Sequence, residues 1–515
     1  MAKQIKHQEK LDSFLKRIVK TSLIVFIAVI ISKILGYVYR ITIARNFGPE
    51  TYGLFSLAVM LIGFFALFSA LGLDSGVLRY ASFFRGKNEN NKIRYIFRLS
   101  LKIIISLALV TGILLFFFSD TISSEVFHNS HFSIFLKWFS LFLPVMAITG
   151  IFWSIIKSYE EIGWYTFLAN ILHNSLQVLI LLSLLFLGLG EKSVIFSYNI
   201  GYLLTLLISF WLCWKKFPMI FEKSKTPLKE KRVIRSQLLS YSWPMMFLSV
   251  IFSIFFWIDS FTIGFFRGAE EVGIYNAAIP IASLLGIVPV LFTNLFFPLI
   301  TKEYSKNNTK LIREISKQVA KWIFILNLPL LIIMILFPGT LVNVLFGPDY
   351  IAAESPLRFL AIGVFFYSIF IIAENLLSMA GKSKITLMNI ILTSLFNLVL
   401  NIILVPIYGI DGAAFATMLS YLLWGLITLY QAKVYTSILP LRKKMLNILL
   451  VMIFPTAILI FVKQFIPVNL FTMVLQGVLF ILIYFVLLLL TGCLDKNDLM
   501  IVNSIKKKFG INSKI

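Results

Sequence analysis

The sequence predicts an all-α integral membrane protein with 14 transmembrane helices: two six-helix bundles related by pseudo-two-fold symmetry, plus a C-terminal helix pair. Composition gives the first reason, because the 515 residues are 59% hydrophobic and only 14% charged, with a mean hydropathy of +0.91. A soluble chain has roughly 25% charged residues. Fourteen apolar segments and an internal repeat of about 220 residues supply the other two reasons.

The apolar segments have close to the length needed to cross a hydrocarbon core of ~30 Å. Runs such as 101–118, 323–337 and 473–490 contain few polar residues. The segments are centred near residues 31, 63, 108, 145, 176, 203, 251, 285, 329, 366, 395, 422, 453 and 481.

The basic residues between the segments predict the orientation. With the N-terminus inside, 38 of the 47 Lys and Arg residues fall in the two terminal stretches and in alternate loops. Short cytoplasmic loops are enriched in these residues. We therefore expect a multi-pass protein of the cytoplasmic membrane with both termini in the cytoplasm. The same distribution explains the net charge of +24 without a nucleic-acid partner.

The internal repeat is visible in two places. GPETYGLF at 48–55 aligns with GAEEVGIY at 268–275, an offset of 220. At an offset of 219, Asn170 maps to Asn389, Gly190 to Gly409, and YLL at 202–204 to YLL at 421–423. Because each half has six segments, both halves insert in the same orientation. The repeat therefore predicts a pseudo-two-fold axis along the membrane normal, with a site between the halves.

These patterns predict five regions along the chain. They are an N-terminal bundle (1–214), a basic cytoplasmic linker (215–236), a second bundle (237–433), an extra helix pair (434–494) and a basic cytoplasmic tail (495–515). Linker and tail are typical of segments held near anionic lipid head groups.

The first segment contains two cations where lipid is expected. Lys33, Gly36, Tyr37 and Arg40 follow the i, i+3, i+4, i+7 pattern and share one helix face. A Lys or Arg at the bilayer centre costs roughly 2.5–3.5 kcal/mol on insertion scales and normally faces a cavity or a partner. These residues predict a cationic cavity lining for an anionic substrate. The alternative is that Arg40 extends to the outer interface and Lys33 pairs with Asp74 or Asp259.

Carboxylates in other segments are candidates for ion pairing or coupling. Asp259 lies 219 positions after Arg40, so a cation and an anion occupy related positions in the two halves. They could pair in one conformation and separate in another, or form a fixed ion pair. Glu374 is a candidate for a coupling-ion carboxylate or for a partner of Arg358.

Four amides complete the intramembrane polar residues: Asn170, Asn174, Asn397 and Asn401. They either hydrogen-bond between helices or contact substrate in the cavity. Neither the four histidines nor Cys213 and Cys493 show metal or redox spacing. We expect no catalytic residues, no metal, no cofactor and no enzyme activity.

The stretches KILGYVYRITIARNFGPETYGLFSLAVM (33–60) and NLVLNIILVPIYGIDGAAFATMLSYLLW (397–424) resemble signatures of polysaccharide-biosynthesis membrane proteins. These are the Wzx-type oligosaccharide flippases, in the superfamily that includes multidrug extruders and lipid II flippases. Lys33 matches a position where lipid II flippases have an arginine. Arg40 matches an arginine found in many Wzx-like sequences.

The resemblance implies export of an isoprenoid-(pyro)phosphate-linked oligosaccharide to the outer leaflet by alternating access, for cell-surface polysaccharide biosynthesis. It implies cavity cations for the pyrophosphate, and a lipid-tail groove at the extra pair. Expected partners are the bilayer, the lipid-linked substrate, a polymerase and glycosyltransferases, with the chain itself a monomer. The alternatives are a cation-coupled drug or metabolite antiporter of the same superfamily and a non-transporting scaffold for glycan enzymes.

Overall fold

The computed structural model describes residues 2–467 and 469–494, and the predicted tail 495–515 lies outside this part. Within the described part, all regular elements are helical. Sixteen α-helices follow in chain order: α1 (Ala2–Ala70), α2 (Leu73–Gly86), α3 (Asn90–Thr121), α4 (Phe132–Ser158), α5 (Ile162–Thr166), α6 (His173–Phe186), α7 (Lys192–Lys216), α8 (Leu228–Phe266), α9 (Ala269–Ala282), α10 (Ile287–Tyr304), α11 (Thr309–Leu336), α12 (Pro338–Phe346), α13 (Glu354–Met379), α14 (Ser383–Thr436), α15 (Lys444–Phe465) and α16 (Leu470–Leu490).

Twelve helical stretches in these residues are long and apolar enough to cross a membrane. Two of them, in α1 and α14, are interrupted by a glycine in a non-helical conformation. Gly48 has φ 76° and Gly409 has φ 56°, a region of backbone space that a residue with a Cβ rarely adopts. Pro49 then suits the first position of the following helix. Gly48 and Pro49 thus form a turn between the two helical segments of α1.

The chain divides into two compact units. The first comprises Met1–Pro280, Leu345–Pro356 and Ile390–Thr417, and the second comprises Ile281–Val344, Leu357–Asn389 and Met418–Ile515. The region boundaries expected from the sequence, at 214, 236 and 433, stay predictions.

Aromatic side chains form the core of the first unit where α1, α4 and α7 meet. The Phe55 ring lies 5.8 Å from Tyr39 and 5.7 Å from Tyr198, both edge-on, and Phe139 packs 5.0 Å from Tyr198. Edge-on pairs at such distances add to the free energy gained by burial alone. The core therefore fixes the orientation of α1, the helix that contains the two membrane cations.

The linker after α7 packs against the start of α3. Arg94 Nε donates a hydrogen bond to the Met219 carbonyl at 2.7 Å, and Arg98 Nη2 donates to the Phe221 carbonyl at 2.5 Å. A salt bridge of 2.6 Å joins Arg94 to Glu222. The basic stretch is thus held on the first unit by side chains from α3.

Polar contacts between buried or partly buried side chains join helices of the second unit. The Asn327 amide of α11 donates 2.9 Å hydrogen bonds to the Leu285 carbonyl and to Ser368 Oγ. Tyr484 of α16 donates to the Ile325 carbonyl at 3.2 Å. Asn389 and Gln431, near opposite ends of the bent α14, exchange two amide hydrogen bonds of 2.6 and 2.9 Å.

Candidate functional site

The face of α1 that contains Lys33 and Arg40 lies within the first unit. Seven residues of helical rise place the two Cα atoms about 10 Å apart along the axis. Asn174 Nδ2 donates to Ser32 Oγ at 3.0 Å, and a Cβ on Gly36 would lie 3.9 Å from Asn174 Oδ1. The Asn174–Ser32 hydrogen bond therefore joins α6 to α1 beside Lys33, and a Cβ on Gly36 would make only an ordinary van der Waals contact there.

Lys33 is half-buried and forms no ion pair with a described carboxylate. Asp74, a predicted partner, is exposed in the first turn of α2. Asp259, the other, hydrogen-bonds to neutral groups instead. In this conformation the ammonium of Lys33 has no compensating charge among the described residues.

Arg40 is half-buried among tyrosines rather than carboxylates. Its Nη1 donates to the Tyr52 hydroxyl at 3.4 Å, and Tyr37 and Tyr198 lie close enough to interact with its charge. No carboxylate lies within ion-pair distance of Arg40 in the part of the chain that the structure describes. Most of the guanidinium donors are therefore available to an anionic ligand.

A π-helical turn lies between α5 and α6, at Phe167–Leu172, and contains Asn170. Single π-helical turns inside α-helices occur frequently at functional sites. Here the Asn170 carbonyl accepts a 2.7 Å hydrogen bond from Asn174 Nδ2. The predicted pair Asn170 and Asn174 is thus brought together beside α1.

A buried carboxylate lies where α8, α9 and α14 meet. Asp259 is 6% exposed and receives three hydrogen bonds from neutral donors. Tyr275 and Thr417 hydroxyls donate to Oδ2, each at 2.6 Å, and Asn401 Nδ2 donates to Oδ1 at 2.9 Å. We call Asp259, Tyr275, Asn397, Asn401 and Thr417 the Asp259 cluster.

Asn397 and Asn401 are fully buried one turn apart on α14. Asn397 Nδ2 donates to Thr417 Oγ1 at 3.1 Å, and Thr262 Oγ1 donates to Asn401 Oδ1 at 3.1 Å. Three neutral donors lower the energy of a buried carboxylate but do not neutralise it, and an unpaired buried charge is expensive. The cluster therefore has the oxygen groups and the charge that a small cation or a proton would bind.

Glu374 lies in α13 of the second unit and is half-buried, without an ion pair to any described residue. Arg358, its predicted partner, donates from Nε to the Ile335 carbonyl at 3.3 Å. Lys321, also in the second unit, is fully buried within α11.

Sequence reasoning missed Tyr52, Tyr275 and Thr417. A signal for Thr417 existed in the repeat. At the repeat offset of 219, Arg40 corresponds to Asp259 and Tyr198 corresponds to Thr417. Arg40 lies beside Tyr198, and Asp259 is hydrogen-bonded to Thr417. Tyrosine and threonine are too common in membrane helices to be selected without this correspondence.

A set of membrane-length helices whose interior holds uncompensated cations and a buried carboxylate defines a membrane transport protein, because such residues mark substrate and ion pathways. The family model described as "Polysaccharide biosynthesis protein" matches residues 18–302, more than half of the chain. The chain belongs to this family. A second model, MatE, matches residues 244–403.

Relatives match along most of the chain. An uncharacterized membrane protein of Methanocaldococcus jannaschii is 26% identical, over 87% of this chain and 90% of its own. The lipid II flippase MurJ of Bacillus subtilis is 22% identical, over 84% of this chain and 86% of its own. A solved lipid II flippase MurJ in an inward closed conformation superposes with a TM-score of 0.72, at 18% identity, covering 90% of this chain and 98% of that one.

Proposed function

We propose that this protein is a flippase that moves an isoprenoid-(pyro)phosphate-linked oligosaccharide from the cytoplasmic to the outer leaflet, for cell-surface polysaccharide biosynthesis. Membership of the polysaccharide biosynthesis family and the similarity to a lipid II flippase support this proposal. Transport proceeds by alternating access, in which the site opens to one side of the membrane at a time.

The observation that carries the proposal is the pair Lys33 and Arg40, two cations on one face of α1 without a described carboxylate partner. Each cation 4 Å from a pyrophosphate contributes on the order of 4 kcal/mol at an effective dielectric constant of 20, before desolvation is subtracted. Two such contacts recruit an anionic head group without making its release prohibitively slow.

The rest of the substrate divides between water and lipid. A sugar needs a hydrated cavity, whereas an isoprenoid chain can stay in the bilayer. Asn170 and Asn174 lie beside Lys33, and since Asn174 Nδ2 already donates to Ser32 and to the Asn170 carbonyl, we assign the Asn174 amide oxygen and the Asn170 side chain to the sugar. α15 and α16 follow the repeated halves, and α16 exposes apolar side chains such as Phe471 and Leu490. We assign this helix pair to the lipid tail.

We further propose that the Asp259 cluster binds the coupling cation. One carboxylate and several neutral oxygens are the ligands that small hard cations prefer, and MatE, the second matching model, covers Asp259. An ion bound there would neutralise a charge that the described side chains only hydrogen-bond. Uptake and release of this ion would supply the directionality of transport.

The architecture that fits this function has fourteen crossings, counting α1 and α14 as two each because of their bends at Gly48 and Gly409. Two repeated six-helix halves would then surround the substrate, with both termini in the cytoplasm of a monomer in the cell membrane. A polysaccharide polymerase and glycosyltransferases are the proposed partners, acting after and before translocation.

The test is transport by the purified protein in liposomes. A fluorescent polyprenyl-pyrophosphate oligosaccharide is placed in both leaflets, and its accessibility to an added glycosidase is followed. We expect protein-dependent exchange between leaflets. Transport of organic cations without exchange of the lipid-linked sugar would favour the antiporter. Absence of both activities, in a protein that restores polysaccharide assembly in cells, would favour the scaffold.

A further inference from the structure

Two consecutive residues of α9, Tyr275 and Asn276, connect the Asp259 cluster to Arg40. We propose that these residues and Tyr52 form a relay through which occupancy of the Asp259 cluster sets the position of Arg40, and so the affinity for the anionic substrate. This inference rests on the proposed function. Tyr52 and Asn276 are positioning residues in it, and Tyr275 belongs both to the relay and to the Asp259 cluster.

At one end the relay touches α8 twice. The Tyr275 hydroxyl donates to Asp259 Oδ2 at 2.6 Å, and Asn276 Nδ2 donates to Ser260 Oγ at 3.1 Å. Both contacts are buried, and they hold adjacent residues of α9 to adjacent residues of α8. A change at the carboxylate is therefore transmitted directly to α9.

At the other end the relay reaches Arg40 through one hydroxyl. The Tyr52 hydroxyl donates to the Asn276 carbonyl at 3.3 Å and accepts from Arg40 Nη1 at 3.4 Å. The Tyr52 side chain is 0% exposed, with its ring 6.1 Å from Phe346 and 6.3 Å from Tyr350. Packing on these rings leaves the phenol little freedom to move independently of α9.

The backbones at the relay are in direct contact. A Cβ on Gly53 would lie 1.7 Å from the Ala269 carbonyl oxygen, and one on Gly273 would lie 1.9 Å from the Pro49 carbonyl oxygen. Tyr52 precedes the first glycine, and Tyr275 and Asn276 follow the second. A shift of α9 therefore cannot be absorbed by side chains between the two helices.

Cation binding changes this network because a cation attracts the Tyr275 oxygen and repels its proton. The Tyr275 hydroxyl must turn its proton away from Asp259. The position of α9 relative to α8 then changes. The Tyr52 hydroxyl follows the Asn276 carbonyl and changes its contact with Arg40. Since coupling between two bound ligands is reciprocal, the anion must alter cation affinity by the same factor, typically about 5- to 150-fold.

The experiment measures binding of inorganic pyrophosphate to the purified full chain by calorimetry, in sodium chloride and in choline chloride at equal ionic strength and pH. We expect the two dissociation constants of the wild type to differ about 5-fold or more. In Tyr52→Phe, which leaves every residue of the Asp259 cluster unchanged, the two constants should become equal within about 2-fold. Tyr484→Phe is the matched control, because it also removes a buried hydroxyl bonded to a backbone carbonyl.

Asp259→Asn separates failure of the relay from failure of the proposed function. A sodium effect that is absent in the wild type, or that survives in Asp259→Asn, overturns the cation site and the relay together. An effect that disappears in Asp259→Asn but survives in Tyr52→Phe overturns the relay alone. Loss of pyrophosphate binding by Tyr52→Phe in both salts, in a variant with wild-type thermal stability, assigns Tyr52 to the anion site and also overturns the relay.

Discussion

Gly53 and Gly273 lie 220 positions apart in the sequence. At each glycine, backbone atoms of the helix that contains the other glycine occupy the space where a Cβ would lie. A Cβ at Gly53 would meet the Ala269 carbonyl oxygen, and a Cβ at Gly273 would meet the Pro49 carbonyl oxygen. The four residues form two pairs with the repeat offset, 53 with 273 and 49 with 269. The pseudo-two-fold relation predicted from the sequence would produce reciprocal contact of this kind at its axis.

The glycine crossing gives the first prediction. Gly53→Ala or Gly273→Ala should lower the free energy of unfolding by about 1–3 kcal/mol or more, because neither carbonyl can move without displacing a helix. Gly150→Ala is the control, since a Cβ there meets nothing within 4 Å. That substitution should be neutral or stabilising by about 0.5–1 kcal/mol. Thermal unfolding of the detergent-purified variants measures these changes in stability. Equal effects at all three positions would contradict the close backbone contact at Gly53 and Gly273.

The cations of α1 give the second prediction. Lys33→Ala and Arg40→Ala should each lower glycan export about tenfold or more, because each removes an attraction of several kcal/mol for the anionic head group. Export is measured by surface labelling of the polysaccharide in cells that lack the native gene. Lys102→Ala removes an exposed lysine from α3 and should leave export unchanged. Normal export by both test variants, at equal protein level in the membrane, would refute the cavity assignment.

The buried carboxylate gives the third prediction. Sodium at 100 times its dissociation constant should stabilise the wild type by about 2.7 kcal/mol, and Asp259→Asn should abolish this effect. Asparagine keeps the volume of the side chain but removes the charge that holds the ion. Glu374→Gln, made in the second unit, should retain the stabilisation. If the glutamine variant loses it and the asparagine variant does not, the cation site lies at Glu374.

The bend of α14 gives the fourth prediction. Gly409→Ala introduces a Cβ at positive φ that would also lie 2.8 Å from Glu271 Oε2 and 3.1 Å from Arg267 Nη2. Gly188→Ala also places a Cβ at positive φ, at 74°, but this Cβ meets nothing within 4 Å. Thermal unfolding should therefore show a larger loss for Gly409→Ala. Equal losses would mean that only backbone conformation requires glycine at 409.

Much of the fold follows from the sequence because its signals are local. Apolar length predicts the membrane helices, and the Gly48–Pro49 pair predicts the bend of α1, since glycine adopts positive φ and proline starts a helix. The bend at Gly409 could be expected from its counterpart Gly190, which also has positive φ, at 60°.

The site is less predictable because its contacts are distant in sequence. Asp259 and Thr417 are separated by 158 positions, and Tyr52 and Asn276 by 224. Lys33, Arg40 and Asp259 could be identified from the sequence by their charge, because a charged residue in a membrane segment normally faces a cavity or a partner. Nothing local distinguishes Tyr52 from the other tyrosines, because only the crossing of α1 and α9 gives its hydroxyl a role.

The junction at Gly53 and Gly273 has one more consequence, for how these helices can separate. Contacts between large side chains loosen gradually, because rotamers adjust as a gap opens. A junction of two backbones has no such adjustable layer. A displacement of about an ångström already forfeits much of the dispersion attraction. We therefore expect the contact between Gly53 and Gly273 to be lost over a small displacement, without the gradual loosening that large side chains allow.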